Sequence, residues 1–129
     1  MVKRTRGGIG YVNYSYARLN KIKSARVQNR SGQFVAPSLR AANTGLSSVK
    51  FPANYRVFVG DSSKGYPIVG LTWMMVYKKY PSAAKAASVK KWVNWVMTKG
   101  QSFNGKLLYT SIPTSVRRRV IRQVNSQVK

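Results

Sequence analysis

Pro67-Ile68-Val69-Gly70-Leu71-Thr72-Trp73-Met74-Met75-Val76-Tyr77 is almost continuously apolar, and soon after it Pro81-Ser82 opens onto Ala83-Ala84-Lys85-Ala86-Ala87-Ser88-Val89. A short run without polar alternation is the pattern of a strand buried on both faces, and it falls well short of the roughly 20 residues that a bilayer span needs. The spacing that follows predicts a helix from Ala83 to about Thr98, with Ser82 at its start and Gly100 placed to end it. Val89, Trp92, Val93 and Val96 fall on one stripe of that helix, so Trp73 and Trp92 are expected in the core. A buried strand feeding an amphipathic helix argues for an α/β layered fold with short strands and helices packed on them, rather than a bundle or barrel.

The rest of the chain extends this pattern. Upstream, Tyr55 to Val59 is a plausible strand that runs into Gly60-Asp61-Ser62-Ser63-Lys64-Gly65, the best linker candidate. Asn43 to Ala53 carries Gly45, Ser47, Ser48 and Pro52 and reads as loop. Pro37-Ser38 opens a weak helix over Leu39 to Ala42. Ile22 to Gln28 is expected as a strand, with a turn at Asn29-Arg30-Ser31-Gly32 and a return through Gln33-Phe34-Val35. Gly8 to Val12 reads as another short strand, and Asn13 can cap a helix from Tyr14 to about Leu19. Downstream, a last helix begins near Pro113, with Val116, Val120, Ile121, Val124 and Val128 as its inward stripe.

Composition bounds the function. Lys and Arg number 24 against the single acid Asp61 in 129 residues, a formal charge of +23. A domain about one-quarter charged would normally carry on the order of 15 acids at this length. The counter-charge must therefore come from a partner. The chain has no Cys and no His. With one carboxylate besides, the usual nucleophile activators, general bases and metal ligands are absent, and neither an enzyme, a metal site nor a cofactor is expected. Met1-Val2-Lys3-Arg4-Thr5-Arg6 leads into glycines rather than an apolar stretch, which predicts no signal peptide and a place in the cytoplasm or an organelle interior.

Several segments together resemble a family. Val2-Lys3-Arg4-Thr5 with Gly8 to Ala17, Ser31-Gly32-Gln33-Phe34-Val35-Ala36-Pro37, Tyr66 to Trp73, and Leu108-Tyr109-Thr110-Ser111-Ile112-Pro113 are similar, in order and spacing, to the C-terminal portion of the phosphate-binding protein of the phosphate ABC transporter. The resemblance implies a partial periplasmic-binding-protein-like fold, with residues 1–65 answering to the second lobe and residues 66–129 to the returning part of the first. It also implies that the phosphate ligands of the family, an N-terminal-lobe set and an Arg and Ser-Gly-Thr segment, lie upstream of the region matched here. Family helices mix acids with bases, whereas the stretch after Pro113 reads Val116-Arg117-Arg118-Arg119-Val120-Ile121-Arg122.

Arg117, Arg118, Arg119 and Arg122 are expected on the exposed arc of the last helix, where guanidinium forks suit phosphate oxygens. Lys3, Arg4 and Arg6 read as a basic arm, Lys21, Lys23, Arg26 and Arg30 lie on or beside the second strand and its turn, and Lys85, Lys90 and Lys91 lie off the apolar stripe of the preceding helix. These positions predict a non-catalytic structural RNA-binding protein of a ribonucleoprotein particle, a ribosomal subunit with rRNA and neighbouring proteins as partners and no small-molecule substrate. Alternatives are a basic linker subunit of a large acidic assembly, or a residual phosphate-binding module needing a second chain. A deliberately recharged domain fits the same composition.

Overall fold

The computed structural model describes residues 2–129. The chain is α/β, with α1 (Tyr14–Leu19), β1 (Val27–Gln28), β2 (Phe34–Val35), α2 (Leu39–Ser47), α3 (Ala83–Met97) and α4 (Thr114–Gln127), plus 3-10 turns at Val2–Arg4 and Lys99–Phe103. The strands pair antiparallel, Val27 opposite Val35 and Gln28 opposite Phe34.

Local chemistry explains the helix starts. Asn13 caps α1 by accepting from Ser15 N at 3.2 Å, Ser38 caps α2 by accepting from Ala41 N at 3.0 Å, and Ser82 caps α3 by accepting from Lys85 N at 3.3 Å. Asn13 also donates from Nδ2 to the Tyr109 hydroxyl at 3.1 Å, which ties α1 to the segment before α4. Asn13→Ala is expected to lower stability by about 1 kcal/mol, the usual loss of a cap. Asn13→Ser, which keeps the cap alone, should recover most of that in urea unfolding.

Tertiary packing overrides the local signals around α2. The helix continues through Asn43, Thr44 and Gly45 to Ser47, where a loop is expected, because Leu46 is buried and Gly45 lies against the chain at Tyr66. A Cβ at Gly45 would stand 2.9 Å from Tyr66 O, so only glycine lets the two backbones meet there. The expected linker at residues 60–65 is instead a packed turn. Ser62 is buried, its Oγ donates to Lys64 O at 2.6 Å, and its carbonyl accepts from Arg30 N at 3.2 Å.

α3 and α4 pack together, with Val93 buried and Asn94 Nδ2 donating to Asn125 Oδ1 at 3.1 Å. The C-terminus closes this unit by pairing Lys129 N with Lys78 O, and Tyr80 N with Lys129 O, both at 2.8 Å. Gly100 does not end α3. Thr98 is the C-cap, and Gly100 sits inside the following 3-10 turn against Trp95.

The core is small. Its buried apolar side chains are Ala17, Leu46, Pro67, Ala86, Val93 and Val128 among the described residues. Three stretches expected as strands, at residues 8–12, 55–59 and 67–77, pair with no neighbouring strand, and Trp73 and Trp92 stand about half exposed rather than buried. The accessible surface is 10156 Å². A compact monomer of 14.5 kDa would expose about 6,900 Å², so the fold is far more open than its mass requires.

Candidate anion-binding surface

The turn after β1 and the loop before Gly65 come together with the C-terminal end of α2. Between them lies an open cleft of about 270 Å³ lined by Arg30, Ser48, Lys50, Asp61, Ser62 and Ser63, among others. Arg30 is held there because its N–H donates to Ser62 O and because Asn29, buried beside it, accepts from Ser31 N at 3.1 Å and Gln33 N at 3.0 Å. Two of the three serine hydroxyls have structural duties. Ser48 Oγ donates to Gly45 O at 2.8 Å, and Ser62 Oγ is taken by Lys64. The cationic heads of Arg30 and Lys50 are exposed, and Asp61 stands on the same rim. Such a cleft attracts anions through its charge, but it lacks the converging neutral donors that select and dehydrate a small oxyanion.

A second cleft of about 290 Å³ lies across Val49, lined by Phe51, Ser115, Val116, Arg119 and Arg122. Arg119 is not on a free outer face. Its Nη2 donates to Phe51 O at 2.8 Å and Pro52 O at 3.0 Å, and its guanidinium carbon sits 4.8 Å from the centre of the Tyr55 ring. Arg117 is likewise turned inward, donating from Nη1 to Met97 O at 3.2 Å and from Nη2 to Thr114 Oγ1 at 2.9 Å. It thereby satisfies one of the last carbonyls of α3. The expected exposed arc of four guanidinium groups on α4 is thus corrected. Arg118 and Arg122 remain outward, while Arg117 and Arg119 hold the fold.

The other cations are scattered. Lys3 and Arg4 lie in the first 3-10 turn and Arg6 follows it, and the Lys3 ammonium donates to Asn20 O, so this segment is folded back on α1 rather than extended as an arm. Lys21, Lys23 and Arg26 are exposed on the connection to β1, Lys85 and Lys91 are exposed on α3, and Lys90 is half-buried there. The structure brings Arg30 to one cleft and Arg119 with Arg122 to the other. Sequence reasoning missed Ser48, Lys50, Ser62 and Ser63, because Gly, Ser and Pro density there signals only a loop.

No protein-family model matches the chain. It is similar to the phosphate-binding protein PstS of Haemophilus influenzae, 27% identical over 99% of this chain and 40% of that protein. The phosphate-binding protein PstS of Pasteurella multocida is 25% identical over 99% of this chain and 38% of the relative. That of Methanocaldococcus jannaschii is 30% identical over 78% of this chain and 30% of the relative. The matched region is a C-terminal portion of these relatives, and the chain spans two fifths of their length or less. These findings overturn the expectation of a ribosomal or other ribonucleoprotein subunit with RNA as partner, and that of a protein without a small-molecule ligand. A high positive charge alone specifies the sign of a counter-charge and not its chemistry. The relatives are binding proteins, consistent with a chain that is not an enzyme.

Proposed function

We propose that this chain is a phosphate-binding module whose ligand site is complete only when a complementary polypeptide segment supplies the rest of a two-lobed binding fold. The observation that carries this reading is the similarity to phosphate-binding proteins along 99% of the chain, in relatives of which it covers 40% and 38%. In this reading residues 1–65 answer to the second lobe and residues 66–129 to the returning part of the first. The openness of the fold supports it, as does the chemistry of the clefts. Arg30 and Lys50 can raise the local concentration of an anion, while the donors that enclose it belong to the complement.

Titration calorimetry with inorganic phosphate tests this. The chain alone should bind more weakly than about 1 mM, with affinity falling as salt rises. Joined to the remaining part of the Haemophilus influenzae relative, it should bind stoichiometrically and at least a hundredfold more tightly. Tight binding by the chain alone, or no gain on joining, would overturn the proposal.

A further inference from the structure

From residue 68 to residue 76 the backbone runs without helix, turn or bend, and among the described residues none of its N–H or C=O groups bonds to another backbone group. This is the apolar run that reads as a strand buried on both faces. One side of it is engaged with the body, since Val69 and Leu71 are half-buried, Val69 packs beside Gly45, and Trp73 Nε1 donates to Tyr55 O at 3.0 Å. Its other side is bare, with Ile68 68% exposed and Thr72 exposed, and beyond Trp73 the engaged side opens as well, with Met75 97% exposed. Unpaired backbone of this length next to apolar side chains is a template for strand addition.

We infer that residues 68–76 accept a β-strand from an acidic partner polypeptide, an inference that rests on the proposed incomplete binding fold and names what completes it. A lipid surface would cover the apolar side chains yet leave the backbone groups without partners. A second copy would bring +23 against +23. An acidic polypeptide satisfies both the ladder and the charge.

The test places a photo-crosslinking amino acid at Met75 of the full chain, produced in the cells it comes from, with the product identified by mass spectrometry. The expected product is a net-acidic polypeptide. Amide exchange at residues 68–76 should be at least a hundredfold slower in the complex than in the free chain. Leu71→Pro and Thr72→Pro remove donors from opposite strand edges. At least one of them should lower recovery of the complex tenfold or more while the circular dichroism of the free chain is unchanged. If proline perturbs the free chain, Met75→Glu, which sets a carboxylate against an acidic partner at an exposed side chain, should give the same loss. Crosslinking to a second copy, to no polypeptide or to one without net negative charge, or unprotected amides in the complex, would overturn the inference. The two readings separate in the isolated complex. Strand protection without phosphate binding sinks the phosphate module alone, and phosphate binding with freely exchanging amides sinks the strand addition alone.

Discussion

Gly65→Ala is expected to be among the most damaging single substitutions in this chain. Gly65 has φ +72, a left-handed conformation that costs a residue with a Cβ about 1–2 kcal/mol. A Cβ there would also lie 2.6 Å from Gly45 N and closer still to Ala41 O, both backbone atoms of α2 that cannot swing aside. Relief requires moving the turn off the helix, which breaks the bond from Tyr66 N to Ala41 O and exposes Leu46. Together these effects should cost about 3–5 kcal/mol, a large part of the 5–15 kcal/mol that stabilises an ordinary domain. Urea unfolding followed by circular dichroism measures it. Gly70→Ala is the control, since nothing lies within 4 Å of a Cβ there and its φ is outside the left-handed region. It should be neutral or slightly stabilising through the unfolded state. Equal losses at both glycines would mean that the contact between Gly65 and α2 is wrong.

Arg119→Gln should destabilise by about 2 kcal/mol although it relieves positive charge, because hydrogen bonds from a charged donor to backbone carbonyls are stronger than neutral ones. The Arg119 guanidinium bonds Phe51 O and Pro52 O and covers the Tyr55 ring, and Tyr55 itself adopts φ 57. Gln is too short to span both carbonyls and offers no cation to the ring. With that clasp gone, the segment from Phe51 to Tyr55 loses its tie to α4. Arg118→Gln and Arg122→Gln touch no such contact, and each should change stability by no more than about 0.5 kcal/mol. If all three variants unfold at the same urea concentration, the inward role of Arg119 is refuted.

Arg117 and Arg119 show where reading the sequence reaches its limit. Helical periodicity puts Arg117 on the valine stripe itself, three, four and seven residues before Val120, Ile121 and Val124, and Arg119 on its flank, but it carries no information about their partners, the carbonyl of Met97 and a backbone turn arriving from residues 51–55. Both guanidinium groups are drawn inward by acceptors far away in sequence. Cap chemistry, by contrast, is local. Asn13, Ser38 and Ser82 each bond an amide within three residues, so the starts of α1, α2 and α3 are legible without any tertiary knowledge. The end of α2 is not, because Gly45 favours a loop by propensity and is held helical by its contact with Tyr66.

By itself the sequence determined the α/β class, the antiparallel turn at residues 29–32, the apolar stripe of α4, the valines but not the Trp92 of the α3 stripe, and the resemblance to phosphate-binding proteins. These rest on side-chain periodicity, on local hydrogen bonds and on residue order. Only the tertiary structure decided that the Gly60–Gly65 segment is a packed turn, that two of the α4 arginines are structural, and that the apolar run at residues 67–77 is left without a ladder. Pairing requires a neighbour, and a strand's pattern records the burial it is suited to without supplying the strand that provides it.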